Sequence, residues 1–180
     1  MKSLNFLNKT IILKRIKLEK LSLNYLDDIH EYSQDERFFK FLEYRKFKTK
    51  LKTKSYIKQK MKESDGVNAF WWVITLNGKS IGTICIHSIN MTRKSCDLGY
   101  GINPKYWGKG YFKEAVKGLM RIIIRKDRFR RCQAVTAKFN QPSAWGLIKC
   151  GFKQEGALTK FYYGGVQKKN FDALLLAKTI

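Results

Sequence analysis

The sequence predicts a mixed α/β (α+β) domain, and three observations carry that prediction. Its 180 residues match one ordinary domain and leave little room for a second. The hydrophobic period changes from about 3.6 to two and back along the chain. Asn77-Gly78 stands between two apolar runs, a strong short-range hairpin signal. The resulting order, β-α-α-β-β-β-α-β-α-β-β, describes a single domain over residues 1–180 with helices packed on a sheet.

Residues 10–18 (TIILKRIKL) crowd apolar and β-branched side chains into a short first strand. Leu23, Leu26, Ile29 and Tyr32 follow at spacings of three, and Tyr56, Ile57 and Met61 share a second helical face. Between these helices, Phe38, Phe39, Phe41, Tyr44 and Phe47 are mixed with lysines. That stretch suits either a loop packed on the core or one wall of a substrate cleft. Phe70 to Leu76 and Ser80 to Ile86 form the hairpin, and residues 95–102 (SCDLGYGI) alternate as the next strand. An amphipathic helix follows, with Phe112, Ala115, Val116, Leu119, Ile122 and Ile123 on one face. Residues 131–139 return to a strand. Pro142 opens a short helix that Gly151 stops, and two closing strands flank Gly164-Gly165.

Composition narrows the function. Thirty-seven Lys and Arg against 14 Asp and Glu leave a net charge of +23, spread over both halves of the chain. Such a surface attracts phosphates, whether in nucleic acid or a nucleotide cofactor, although drift toward lysine in an AT-rich genome accounts for it equally well. Cys85, Cys96, Cys132 and Cys150 form no C-x-x-C pair, and only His30 and His87 are present, so no metal site is expected. Reduced thiols and the absence of a signal-like or membrane-spanning apolar segment fit a cytoplasmic protein with no membrane partner. The longest apolar run, Ala69 to Ile74, is only six residues.

The chemistry concentrates in Tyr106-Trp107-Gly108-Lys109-Gly110-Tyr111-Phe112, between a strand and a long helix. Glycines at 108 and 110 let successive N–H groups point into one concavity, and a helix N-terminus adds its positive dipole end. Lys105, Lys109 and Lys113 surround it with positive charge. The loop is no Walker motif, since no G-K-[ST] follows, and Lys113 replaces the third glycine of the dinucleotide fingerprint.

LGYGINPKYWGKGYFKEAV, taken with NQPSAWGLIKCGFKQEG, resembles the GNAT superfamily of acetyl-CoA-dependent N-acetyltransferases, in the branch of ribosomal-protein N-terminal and spermidine acetyltransferases. The resemblance runs from about Ile11 to Leu176 and is specific only in the second half. It implies a mixed, mostly antiparallel sheet of six to seven strands with about four helices on both faces. It also implies that acetyl-CoA, as co-substrate, lies on Ile102, Lys105, Trp107, Gly108, Lys109, Gly110, Tyr111, Phe112, Lys113 and Asn140, its pantetheine arm between two splayed strands. Lys105 departs from the Gln or Arg that usually opens the superfamily's loop signature.

Where many members carry a tyrosine as general acid, this chain has Leu147, which has no proton to give. The branch assigns that role to a first-turn serine, here Ser143, which equally suits a helix-capping residue. Asp97 is the candidate base, because an alkylammonium must lose a proton before attacking a thioester. A strand carboxylate paired with a lysine is the structural alternative. His87 is a candidate for proton relay or substrate contact, or a satisfied structural histidine. A glutamate proposed as base in some ribosomal-protein acetyltransferases falls at Tyr162 here. Phe39, Tyr44, Trp72, His87 and Tyr162 complete the candidate acceptor site.

The expected reaction is direct attack of a primary amine on acetyl-CoA in a ternary complex, by a monomer or homodimer. Its acceptor is a protein N-terminal amine or a nucleotide-linked amino sugar. The competing reading is a non-catalytic basic nucleic-acid-binding domain, against which stand scattered lysines and the lack of any recognised binding motif.

Overall fold

A computed structural model describes residues 4–64, 67–125 and 128–180. Eight strands form one sheet: β1 (Ile11–Ile12), β2 (Lys17–Lys20), β3 (Phe70–Leu76), β4 (Lys79–Asn90), β5 (Ser95–Ile102), β6 (Arg131–Ala137), β7 (Lys153–Gly164) and β8 (Lys169–Thr179), in spatial order β1-β2-β3-β4-β5-β6-β8-β7. Five α-helices accompany them: α1 (Leu26–Tyr32), α2 (Glu36–Phe39), α3 (Lys50–Glu63), α4 (Tyr111–Ile123) and α5 (Gln141–Ile148).

The expected count of six to seven strands is one short. The run at 10–18 breaks into two antiparallel strands, pairing Ile11 with Leu18. The extra helix, α2, is capped by Asp35, whose carboxylate accepts the Arg37 amide. The helix placed near Thr53 begins earlier, at Lys50, because the Thr49 hydroxyl accepts the Lys52 amide. Asn77 and Gly78 both have positive φ, as a type I′ turn requires, and Leu76 pairs with Lys79 across them.

Alternation along the central strands divides the protein into two layers. Phe70, Trp72 and Ile74 of β3, with Ile84, Ile86 and Leu98, face the main core, which α4 completes with Ala115, Val116, Leu119 and Ile123. Val73 faces the opposite side, where Ile29 and Tyr32 of α1 and Ile57 of α3 cover it.

One irregularity positions the site. Every neighbouring pair is antiparallel except β5 and β6, which run parallel and pair only through Ser95–Arg131, Cys96–Cys132 and Asp97–Gln133. Beyond Asp97 the two strands part, leaving an opening between Gly99–Ile102 and the end of β6. All four cysteines are buried as free thiols. No described helix is long and apolar enough to cross a membrane.

Candidate active site

On one side of the opening lies the glycine loop. Pro104–Tyr106 form a single 3-10 turn, capped by the Asn103 side chain. The Trp107 indole N–H then donates to the Ile102 carbonyl at 2.7 Å, tying the loop back to β5. Gly108 and Gly110 take φ of +73° and +81°, a region that side chains strain to enter, and α4 begins at the next residue. The first amide of this segment with an intrahelical partner is that of Glu114, on the Gly110 carbonyl. Among the described residues, the amides of residues 108–113 have no protein acceptor. They form a nest of free donors on a helix N-terminus, the arrangement that binds phosphate groups.

Arg15, from the β1–β2 connection, braces this nest. Its backbone amide and Nε donate to the two oxygens of Glu114 at 2.7 Å each, and Nη1 donates to the Lys109 carbonyl at 3.0 Å. Its guanidinium also stacks on Tyr111, 4.5 Å from the ring centroid. Burial pushes the Glu114 carboxyl up, but the Arg15 amide and guanidinium outweigh it and hold the carboxyl below its usual range. Sequence reading missed Arg15, since nothing local couples a hairpin arginine to a helix about a hundred residues later.

The other predicted loop side chains divide by role. Lys113 is exposed, and Lys109 extends over the Tyr106 ring. Lys105 forms an ion pair with Glu31 of α1. Ile102 is buried at the end of β5. Phe112 turns inward, 4.6 Å from the Tyr100 ring and against Gly146 of α5, so only its backbone faces the nest.

At the opening itself, Ser143 sits in the first turn of α5. It does not cap the helix. Its Oγ shares a 2.5 Å hydrogen bond with the Tyr100 hydroxyl, which sequence reading had treated only as an apolar strand position. Asn140, at the start of α5, makes no side-chain capping bond and lines the same cavity. Leu147 is buried in the core, as its apolar side chain requires.

On the far side of the sheet opens a cavity of about 570 Å³, bounded by β3–β5, α1, α3 and the aromatic segment after α2. Asp97, His87, Tyr44 and Tyr162 line it. Asp97 and His87 are direct cross-strand partners, so both project to this face. Burial, and to a lesser degree Lys60, lower the His87 pKa, while Asp97 acts in the opposite sense. The imidazole is therefore neutral at pH 7. Gly99 makes room for it: a Cβ there would lie 2.7 Å from the Cys85 sulfur and 3.6 Å from His87 Nε2. Burial lifts the Cys85 thiol to about 12, which keeps it protonated and inert.

Two expected acceptor residues are elsewhere. Trp72 is 2 % exposed in the opposite core, donating its indole N–H to the Leu7 carbonyl at 3.2 Å. Its neighbour Trp71 lines the cavity instead, because strand alternation sends the two rings to opposite faces. Phe39 is 1 % exposed beneath Tyr44 and Phe47, whose edges meet it at 5.9 and 5.8 Å. It supports the aromatic wall from behind. Tyr44, Phe47 and Tyr56 form the part of that wall that lines the cavity.

The electrostatics of the chamber run against those of the surface. Its charged lining comprises Glu43, Glu63, Asp97 and Lys60, and Lys60 is already paired with Glu63 at 2.8 Å. Within a chain of +23, this is a locally acidic enclosure with aromatic walls, suited to an ammonium group. Trp71 also carries a buried indole N–H without an acceptor among the described residues.

A free-amide nest, a parted pair of strands and an acidic chamber behind them narrow the family considerably. An acetyltransferase (GNAT) domain model matches residues 15–153. The chain belongs to the GNAT acetyltransferase family. It therefore transfers an acetyl group from acetyl-CoA to an amine. This acetyltransferase is 24 % identical over 155 residues to the uncharacterized N-acetyltransferase p20 of Bacillus licheniformis, covering 85 % of this chain and 87 % of that one. Its fold is similar to that of the microcin self-immunity acetyltransferase MccE, solved with acetyl-CoA and AMP, at 22 % identity, a TM-score of 0.86 and 93 % coverage of both chains. It is also similar to RimL, a ribosomal-protein alpha-N-acetyltransferase solved with coenzyme A, at 17 % identity and a TM-score of 0.86, covering 96 % of this chain and 98 % of that one.

Proposed function

We propose that this protein, as one cytoplasmic catalytic domain, acetylates the N-terminal amine of a protein or peptide by direct attack within a ternary complex. The observation carrying this reading is the chamber: acidic and aromatic, reached through the β5–β6 opening, with an indole donor in its wall that has no acceptor among the described residues. A peptide N-terminus offers an ammonium for the carboxylates and a neighbouring carbonyl oxygen for the Trp71 N–H. A fully protonated polyamine has no such oxygen to offer.

The nest of residues 108–113 holds the coenzyme pyrophosphate through its amides, with Lys109 and Lys113 adding mobile charge around it, while Lys105 stays paired with Glu31. Asn140 and the free edge near Ile102 flank the acyl arm. Asp97 takes the proton from the incoming ammonium, with neutral His87 beside it. Ser143 gives a proton to the departing thiolate. Placing amine and thioester in one opening contributes on the order of 7–11 kcal/mol by itself, and general acid–base catalysis adds roughly 10²–10⁴-fold.

One observation favours a second acceptor, a nucleotide-linked amino sugar. A cavity of about 230 Å³ adjoins the chamber, sharing Phe41 and Tyr162 with it, and is lined by Lys40, Lys169, Phe139 and Phe171. Flat aromatic groups bearing phosphate suit such a lining. A thiol-release assay with acetyl-CoA across peptide N-termini, nucleotide-linked amino sugars and polyamines separates the readings. Turnover on peptides that is lost when the α-amine is blocked supports the first. Turnover confined to nucleotide-linked amines refutes it in favour of the second. No coenzyme release with an acceptor of any class, alongside salt-sensitive nucleic-acid retention, refutes both.

A further inference from the structure

The Tyr100–Ser143 pair is the closest polar contact at the opening, and it addresses a weakness in assigning proton donation to Ser143 alone. An aliphatic hydroxyl is a very poor acid. A thiolate derived from a thiol near 8.5 is too weak a base to leave serine as a standing alkoxide. A phenol, ordinarily near 10, is closer in acidity to the thiol than an aliphatic hydroxyl is, although burial of Tyr100 takes back part of that advantage.

We propose that Tyr100 is a positioning residue that forms a two-hydroxyl proton relay with Ser143. Its O–H donates to Ser143 Oγ, aims the serine hydrogen at the leaving sulfur, and replaces that hydrogen as it departs. The proposal rests on the reading of Ser143 as the proton donor. The acceptor nitrogen forms its bond to the acetyl carbon as the carbon–sulfur bond breaks, its electron pair remaining on sulfur. Ser143 passes its proton to sulfur and takes one from Tyr100. Solvent returns a proton to the Tyr100 oxygen as the phenolic proton leaves, matching the one that nitrogen sheds on forming the amide bond; the earlier ammonium proton passes from Asp97 to bulk water, so the enzyme ends the cycle unchanged.

Three features fit this role. The bond is 2.5 Å, and no side chain caps α5, so the Ser143 hydroxyl is turned to Tyr100 and not spent on capping. The Tyr100 ring is clamped by Phe112, which in turn fills the space over Gly146 of α5, so the start of the coenzyme helix, the phenol and the serine are packed as one unit. Burial raises the Tyr100 pKa, its bond to Ser143 acting in the opposite sense, so the phenol is loaded with its proton throughout the working pH range. It also disfavours a standing phenolate, so the solvent proton reaches Tyr100 as the other two transfers occur.

The test is Tyr100→Phe, which keeps the ring against Phe112, alongside Ser143→Ala and the double variant. Ser143→Ala lowers kcat by about 100-fold and Tyr100→Phe by about 10-fold, with KM for acetyl-CoA within about threefold of the wild type. The double variant is no slower than Ser143→Ala, because the phenol acts only through the serine. In mixtures of light and heavy water, the wild-type rate curves with isotope fraction, as two moving protons require, and Tyr100→Phe straightens it. Full kcat in Tyr100→Phe, or multiplicative losses in the double variant, overturns the relay. Full kcat in Ser143→Ala instead overturns the donor reading beneath it. If Tyr100→Phe melts early, 3-fluorotyrosine at position 100, a stronger acid of nearly the same shape, supplies the test. It raises kcat through the relay and leaves kcat unchanged if the ring only packs.

Discussion

Replacing Arg15 with alanine removes one side chain far from the reacting atoms, yet it acts directly on coenzyme binding. The guanidinium makes a 2.7 Å ion pair with Glu114, a 3.0 Å bond to the Lys109 carbonyl and a stacking contact with Tyr111. The Arg15 side chain is 43 % exposed, so the ion pair is worth only about 0.2–1 kcal/mol. The carbonyl bond adds about 1 kcal/mol and the stacking about 0.5–1 kcal/mol. Allowing for non-additivity, the loss is about 2 kcal/mol, which lowers Tm by about 4–8 °C in a chain of this size. Glu114 keeps its bond from the backbone amide of residue 15, so the carboxylate is not abandoned. Two of the three lost contacts end on the loop or the first residue of α4. About half of the energy is therefore order withdrawn from the nest before the coenzyme arrives. One kilocalorie corresponds to a rise of about fivefold in KM for acetyl-CoA. At saturating coenzyme kcat stays within about twofold, because Ser143 and Asp97 are untouched. Arg15→Lys restores the charge without the planar fork and falls between the two. Steady-state kinetics with both substrates varied, together with thermal melts, measure all of this. A lowered Tm with an unchanged KM for acetyl-CoA refutes the bracing argument and leaves Arg15 as a plain stability contact.

Gly110→Val forces a β-branched side chain into φ +81° and covers free amides, so calorimetry should show coenzyme binding weakened by at least about 30-fold; unchanged affinity in a folded variant removes the nest from the coenzyme site. Trp71→Phe and Trp72→Phe should separate cleanly, the first raising KM for the amine several-fold with little change in Tm, the second lowering Tm by several degrees with the amine KM intact. The folded-state pKa of His87 is depressed, so below the ordinary value near 6.5 the unfolded chain binds more protons and stability falls with acidification. His87→Gln should flatten that part of the pH dependence in denaturant titrations below about pH 6.5; an unaltered slope would place the acid sensitivity elsewhere.

Most of the fold was legible because its signals are local. A type I′ turn needs only Asn77-Gly78, and an amphipathic helix only the spacing of Ala115, Val116, Leu119 and Ile123. The glycine loop is equally local, since positive φ at 108 and 110 is a property of those residues and their neighbours. The short hairpin at 11–20 was the exception: apolar content across Lys14-Arg15 looks like one strand until pairing shows where the chain turns.

The site was legible only in part, for a physical reason. Phe70 to Ile74 is apolar throughout, so no polar alternation reveals which tryptophan faces the chamber; the register with β2 and β4 decides it for Trp71. Phe39 and Tyr44 look alike as aromatics, and packing alone puts one beneath the other. Composition announced a strongly cationic protein, whereas the fold gathers Glu43, Glu63 and Asp97 around a single paired lysine. The sequence by itself determined which local structures form and where a nest of free amides lies, because neighbouring residues set backbone conformation. Only the tertiary structure decided that Arg15 meets Glu114, that Tyr100 meets Ser143 and that β5 parts from β6 beyond Asp97. Those pairings join residues up to about a hundred positions apart, and their contact exists only once the sheet has assembled.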